Sequence, residues 1–297
     1  MISVNGVVKR YGNKLALDDV SLHVDRGTFV SLIGPNGAGK TTLIRILLTL
    51  MKPDKGDVQI LGYNPFHNKK VLREVGYVQE IPTYPPFLSG RQILELSAKV
   101  KGIDKSEVKR VLEFVEMDSL ANFPIIKYSK GLVQRIAIAE ALLGNPMVLI
   151  LDEPNMGIDP IFSLKTREIL TKLKRKYNVT ILMTSHEMED VKKLSDTIYM
   201  LYKGKVVFKG SVEDMIRKFL GIQVVIETDN ISETEKLLKE IEYVNGVFNE
   251  GNKIVAKLAE DKREDLLKVL VANGIRVKGF YMDLNLEEAY ARALKNV

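Results

Sequence analysis

The segment from Gly34 to Thr41, GPNGAGKT, has the residue types and spacing of a loop that binds phosphate groups. In such a loop the glycines let backbone N–H groups point inward at the phosphates. The N-terminal end of the next helix also attracts them, because it is the positive end of the helix dipole. Lys40 is placed to reach the β- and γ-phosphates, Thr41 to offer its hydroxyl to Mg²⁺, and Thr42 to donate toward the α-phosphate. The other ligand-binding residues predicted in the loop are Asn36, Gly37 and Gly39.

Two adjacent carboxylates, Asp152 and Glu153, follow the apolar run Val148–Leu151. A buried strand of an α/β sheet presents ligands at its carboxyl end, so both side chains are expected at a crevice. We expect Asp152 to hold Mg²⁺ through water and Glu153 to orient or deprotonate an attacking water. A strand-end Asp-Glu pair is also a common helix cap, so these two residues alone leave both interpretations open.

Composition limits the class of protein. The chain has 297 residues, a formal net charge of +6, 28% charged residues and no cysteine. Disulfides, thiolate zinc sites and cysteine nucleophiles are therefore excluded. The mixture of both charge signs is typical of ordinary solvated surface, and no apolar run approaches the roughly 20 residues that span a bilayer.

The phosphate loop is preceded by a predicted buried strand at 28–33 and followed by a predicted helix, which is the context that such a loop requires. Helical periodicity dominates from about residue 69 to 143 and is interrupted by the proline-rich segment IPTYPPFLSG. Apolar strands return at 148–151 and 180–184, as in a parallel sheet buried on both faces. A hairpin then closes this region near Gly210.

From Ile222 the pattern is strand, helix, strand, strand, helix, strand, the order of a split βαβ unit. A last helix, LNLEEAYARALKN, is expected to be capped by Asn285 with Glu288 in the capping-box position. We therefore predict an α/β P-loop NTPase domain at 1–210 with a helical insert at about 80–143. A linker at 211–221 would join it to a small ferredoxin-like α+β accessory domain at 222–297.

The order and spacing of these elements resemble those of the ATP-binding-cassette (ABC) ATPases over about Val4 to Lys209. The resemblance implies ATP with Mg²⁺ as the ligand. Tyr11 matches the position of an aromatic residue that stacks on adenine in that family. Gln79 matches the position of a glutamine that contacts Mg²⁺ there and responds to the nucleotide. His186 matches a histidine that contacts the γ-phosphate; a zinc helix is the competing interpretation, but His-Glu-x-x-Asp lacks the second histidine of that motif.

The segment Tyr128–Leu132, YSKGL, resembles the family signature LSGGQ and departs from it at the first, third and fifth positions. The resemblance implies that Ser129 and Gly131 bind the γ-phosphate of the opposite subunit, and that Asp159 communicates across the dimer. The resemblance thus implies an ATPase that is complete only as a homodimer or heterodimer, with Lys40, Glu153 and His186 as catalytic residues.

The C-terminal pattern resembles the tail of ABC-2 type exporter ATPases. This resemblance implies an ATP-hydrolysing transporter subunit bound to polytopic membrane permease subunits at the cytoplasmic face of the cell membrane, with no nucleic acid partner expected. Candidate contacts for the permease are Pro82, Tyr84, Pro85 and Phe87. The alternatives are a soluble ABC ATPase that acts on nucleic acid or ribosomes, and a C-terminal domain that senses a small molecule or metal rather than one that dimerises or docks.

Overall fold

The computed structural model describes residues 1–282 and 285–296, and the chain divides into two compact units, Met1–Ser211 and Val212–Val297. The strands of the first unit are β1 (Ile2–Tyr11), β2 (Lys14–Val24), β3 (Phe29–Ile33), β4 (Lys55–Ile60), β5 (Val75–Val78), β6 (Val148–Asp152), β7 (Thr180–Ser185), β8 (Thr197–Tyr202) and β9 (Lys205–Gly210). Its α-helices are α1 (Lys40–Leu47), α2 (Gly90–Lys101), α3 (Ser106–Phe114), α4 (Lys130–Ala141), α5 (Pro160–Tyr177) and α6 (Met188–Leu194).

The main sheet of the first unit has the strand order β5-β6-β7-β3-β8-β9 and is parallel except for β9. Every residue of β3, β6 and β7 is buried, which explains why these segments read as continuous apolar runs. In the parallel register Asp152 lies beside Thr184, and Ile33 lies beside Ser185. The carboxyl ends of three neighbouring strands therefore bring the phosphate loop, the paired carboxylates and His186 to one edge.

A second, antiparallel sheet has the order β2-β1-β4 and packs its apolar side into the same core as α1. Tyr11 is the last residue of β1, and the turn after it leads directly into β2. Helices α2, α3 and α4 lie within the segment predicted as a helical insert and share a core with the other face of the main sheet.

The second unit contains α7 (Val212–Leu220), β10 (Ile222–Thr228), α8 (Ile231–Glu240), β11 (Val244–Glu250), β12 (Lys253–Leu258), α9 (Arg263–Ala272), β13 (Val277–Met282) and α10 (Leu286–Lys295). Its strands form an antiparallel sheet in the order β11-β12-β10-β13. Asn285 caps α10 by accepting a hydrogen bond from the backbone N–H of Glu288 at 2.9 Å, as expected. Leu284, the first residue of the LNLEEAYARAL motif, lies outside the described residues.

The segment expected to be a linker is mostly helical, because α7 occupies residues 212–220. Its apolar residues Met215, Ile216 and Leu220 are buried, whereas the charged residues between them are not, and the helix packs against α10. An amphipathic pattern of this kind stabilises a helix by burial rather than leaving a flexible connection. Within the described ranges, the helices are all too short or too polar to cross a bilayer.

Candidate functional site

The phosphate loop connects β3 to α1 through glycines in backbone conformations that L side chains rarely adopt. Gly34 has φ +153° and Gly39 has φ +113°. A Cβ atom at Gly39 would lie 2.6 Å from the carbonyl oxygen of Ala16, so a side chain there would collide with backbone. The tight turn lets α1 begin at Lys40, with the N-terminal end of the helix directed at the loop.

Lys40 is 7% exposed, and its side chain folds back over the loop. Its ammonium group donates a hydrogen bond to the carbonyl oxygen of Gly34 at 2.6 Å. The same group lies 3.4 Å from Oε1 of Glu153, which is also buried. Lys40 of the loop and Glu153, the residue that directly follows β6, thus form an ion pair that joins two separate segments of the chain.

Asp152 and Glu153 are positioned by Thr184 of the neighbouring strand β7. The Thr184 hydroxyl donates to Oδ1 of Asp152 at 2.6 Å and accepts from the backbone N–H of Glu153 at 2.9 Å. Burial raises the pKa of Asp152 above its usual range, while hydrogen bonds from Thr184 and Thr41 oppose the shift. Thr184 did not stand out in the sequence, because strand order decides which residue lies beside Asp152.

Glu153 contacts His186 through its other oxygen. Oε2 accepts a hydrogen bond from the backbone N–H of His186 at 3.0 Å and lies 2.8 Å from Nδ1 of the ring. Glu153 has φ +47°, a conformation that is uncommon for a residue other than glycine. Such strain persists only where surrounding contacts hold it, and it is frequent at functional sites.

A cavity of about 580 Å³ opens over these groups. It is lined by the predicted residues Tyr11, Asn36, Gly37, Gly39, Lys40, Thr41, Thr42, Glu153 and His186. Further lining residues, which the sequence did not single out, are Lys14, Arg45, Glu80 and Met156. Arg45 could have been found from its position on α1, five residues after Lys40. Tyr11 lies at the edge of the cavity, is 44% exposed, and donates its hydroxyl to the sulfur of Met51.

The oxygen ligands that the sequence predicts for Mg²⁺ are partly assembled. Thr41 lies close enough to Asp152 to lower the pKa of its carboxyl, so a hydroxyl and a carboxylate lie together beside the phosphate loop. Mg²⁺ prefers such oxygen ligands and keeps several waters, and these two residues fit that preference. Gln79, the third predicted ligand, lines a different cavity, and its neighbour Glu80 lines the one beside Lys40.

The second cavity has a volume of about 530 Å³ and lies between the loop after β5 and helices α2 and α4. Its lining includes Gln79, Pro82, Tyr84 and Pro85, but Phe87 is 77% exposed outside it. The Tyr84 hydroxyl donates to Glu140 of α4 at 2.7 Å, and burial and the Glu140 charge raise the pKa of Tyr84. Helix α4 is thereby tied to the loop that carries Gln79.

Ser129 is the N-cap of α4, and its hydroxyl accepts a hydrogen bond from the backbone N–H of Leu132. Gly131 is buried against α5, where a Cβ atom would lie 2.6 Å from Cγ of Phe162. Asp159 is the N-cap of α5. In the part of the chain that the structure describes, these three residues are not in the lining of the cavity that contains Lys40.

Comparison with known proteins identifies the family. The family model for the ABC transporter matches residues 17–156. The bacitracin transport ATP-binding protein BcrA of Bacillus licheniformis is 33% identical over 98% of this chain and 95% of its own length. The Nod factor export ATP-binding protein I of Ralstonia nicotianae is 32% identical over 76% of this chain and 71% of its own length.

A solved structure of the ATP-binding cassette MJ0796, a dimeric post-hydrolysis state bound to ADP and Pi, has a TM-score of 0.65 and 27% identity. The match covers 71% of this chain and 98% of the MJ0796 chain. The chain therefore belongs to the ATP-binding proteins of ABC transporters. It is an ABC ATPase with the α/β cassette fold, similar over nearly its full length to a bacitracin transport ATP-binding protein.

Proposed function

We propose that this chain is the ATP-hydrolysing subunit of an ABC-2 type exporter. Two such subunits would close on ATP and thereby change the conformation of polytopic membrane subunits. The match to a bacitracin transport protein supports this proposal because it includes the C-terminal unit as well as the cassette. The match to a Nod factor export protein supports the direction of transport.

Within one subunit, the backbone of Asn36, Gly37 and Gly39 would bind the phosphates, together with Lys40 and Thr42. Tyr11 would stack on adenine at the open edge of the cavity, where its ring is accessible. Thr41 and Asp152 would hold Mg²⁺, and Gln79 would join them after a movement of its loop. The bound ion would supply positive charge next to the phosphates.

Glu153 would orient the attacking water and accept its proton, and His186 would contact the γ-phosphate. One contact carries this assignment: the Glu153 carboxylate bridges the Lys40 ammonium and the His186 ring. A carboxylate beside the lysine that binds the γ-phosphate is close enough to act on water at that phosphate. The opposite carboxylate oxygen fixes the ring of His186, so that Nε2 is the nitrogen available to a ligand.

Ser129, Gly131 and Asp159 would act on the site of the other subunit. They do not line the cavity of their own Lys40 in the described chain, and Ser129 caps a helix whose N-terminal end can bind an anion. The dimeric structure of MJ0796 supports a two-subunit arrangement. The proposal covers both a homodimer and a heterodimer with a related subunit.

The membrane partner would dock at the cavity that contains Gln79 and Tyr84, on the cytoplasmic face of the membrane. Apolar side chains of this region that are exposed in the structure are Ile81, Phe87, Leu96 and Val100. Exposed apolar side chains near a cavity support an interaction site for another protein. The hydrogen bond from Tyr84 to Glu140 would transmit a displacement of this loop to α4 and hence to Ser129.

The C-terminal unit is proposed to be a ferredoxin-like domain that serves in dimerisation or docking. Its element order, βαββαβ, and its sheet order support this classification. Among its described residues, no cluster of three or more His, Cys, Asp or Glu side chains has the arrangement of a metal site.

The proposal is tested by purifying a tagged full-length chain in mild detergent from its own cells and identifying the accompanying proteins by mass spectrometry. We expect a polytopic membrane protein in stoichiometric amount. Phe87→Ser should reduce its recovery, whereas Leu50→Ser, at a side chain that is 70% exposed elsewhere, should not. Recovery of ribosomal or nucleic-acid-bound proteins in place of a membrane protein would overturn the exporter assignment.

A further inference from the structure

Asp190 of α6 is a buried carboxylate outside the cavity that contains Lys40. It is 1% exposed, and both of its oxygens are bonded. Asn155 donates from Nδ2 to Oδ2 at 2.7 Å, and Arg167 of α5 donates from Nε to Oδ1. Taking a carboxylate out of water is costly unless such partners compensate, so this arrangement needs an explanation.

Asn155 and Asp190 lie close in the chain to the residues proposed to act on water. Asn155 follows Glu153 by two positions, on the segment that leads to Asp159. Asp190 follows His186 by four positions, and Ser185 and Glu187 hold that turn through a hydrogen bond. The Asp190 carboxylate therefore connects the segment that follows Glu153 to the segment that follows His186, and the side chains of Glu153 and His186 are in contact.

Asn155 depends on Asp190 for its orientation. The Oδ1 atom of Asn155 is buried and has no hydrogen-bond partner among the described residues. The hydrogen bond from Nδ2 to Asp190 is therefore the contact that fixes the amide group. Glu153 has a strained backbone two residues earlier, which makes its position sensitive to the path of this segment. A displacement of about 1 Å in a catalytic group can lower a rate by about 100-fold.

We propose that Asp190 is a positioning residue for ATP hydrolysis, which fixes Glu153 and His186 relative to one another by holding Asn155 and Arg167. The inference rests on the roles proposed above for Glu153 and His186. It assigns to Asp190 no contact with the nucleotide. In this role Asp190 differs from a member of a purely structural ion pair, because a buried pair that only stabilises the fold can often be replaced without loss of function.

The test exchanges the two side chains. Asp190→Asn leaves only one acceptor oxygen for two donors, and Asn155→Asp places a second carboxylate against the first. In the variant that combines Asp190→Asn with Asn155→Asp, the introduced amide accepts from Arg167 and donates to the introduced carboxylate, so both hydrogen bonds are formed again. ATP turnover of the purified full chain, nucleotide affinity and melting temperature are measured for all three variants.

We expect each single variant to lower kcat about tenfold or more while KM for ATP stays within about twofold, and the double variant to recover most of kcat. Lys174→Gln is the matched control, because it breaks another ion pair between α5 and the segment after α6, the one with Asp196. Its kcat should remain near that of the unaltered chain.

The proposal is overturned if folded, nucleotide-binding single variants keep their kcat, or lose no more of it than Lys174→Gln does. It is also overturned if the exchange restores the melting temperature but not kcat, because the pair would then act on stability alone. Glu153→Gln is measured in parallel: normal turnover by that variant would remove the proposed role of Glu153, whatever the Asp190 variants show.

Discussion

The ammonium group of Lys40 lies 3.4 Å from the carboxylate of Glu153, and both side chains are buried. The lysine proposed to bind the γ-phosphate is therefore paired with the glutamate proposed to act on water at that phosphate. Phosphate and carboxylate are both anions, so under the proposed assignment ATP would compete with Glu153 for Lys40. The affinity of the site for ATP includes the cost of weakening this pair.

Lys40→Ala removes the cation and should lower ATP affinity about tenfold or more, the usual effect of losing a hydrogen bond to a charged group. Titration calorimetry with Mg²⁺ and ATP measures the change. Lys14→Ala is the control, because Lys14 lines the same cavity but is exposed, and it should weaken binding much less. Undiminished binding by Lys40→Ala would contradict the assignment of the phosphate loop.

Asp152→Asn should stabilise the folded chain and abolish Mg²⁺-dependent hydrolysis. Burial raises the pKa of Asp152, so its ionisation opposes folding, and stability is lost as the pH rises through the raised pKa. At neutral pH the amide should therefore raise the melting temperature. The difference should shrink in acid, where Asp152 becomes protonated. A variant that is less stable at every pH would refute the prediction.

Tyr84→Phe removes the hydrogen bond that ties the loop after Gln79 to Glu140. ATP turnover of the isolated chain should change little, while its stimulation by the membrane partner should fall several-fold. Ser97→Ala is the control, since Ser97 donates to the same carboxylate from α2 at 2.5 Å rather than from the loop. Equal loss of stimulation in both variants would show that Glu140 matters for packing and that the loop contact does not transmit movement.

Mixed dimers test whether Ser129 acts across subunits. A Ser129→Ala subunit paired with a Lys40→Ala subunit contains one intact site if Ser129 acts in trans, and none if it acts in cis. Random mixing should then restore about a quarter of the sites of the unaltered dimer. ATP turnover of the mixture, compared with each variant alone, measures the restored sites. No recovery above the separate variants would argue against the arrangement in trans.

The sequence predicted features that depend on neighbours along the chain. The strand, glycine loop and helix around Lys40 follow from local spacing, as do the apolar strand before Asp152 and the cap at Asn285. Features that depend on which segments pack together were not predicted. Thr184 beside Asp152 requires the strand order, and the burial of Asp190 requires the path of α5 and α6.

Two other differences have a similar cause. Gln79 and Glu80 are adjacent in sequence, yet they line different cavities, and a motif match cannot tell which of two adjacent side chains points to a site. Residues 212–220 were expected in a linker, but their apolar positions are spaced as on one face of a helix and are buried in that form.

Single-turnover hydrolysis by the Glu153→Gln variant tests the central claim most directly. Glutamine keeps the shape of the side chain but removes the charge that pairs with Lys40 and accepts a proton. We predict ATP binding at least as tight as in the unaltered chain, hydrolysis slower by about 100-fold or more, and accumulation of an ATP-bound dimer in light scattering. Hydrolysis at the rate of the unaltered chain would contradict the account.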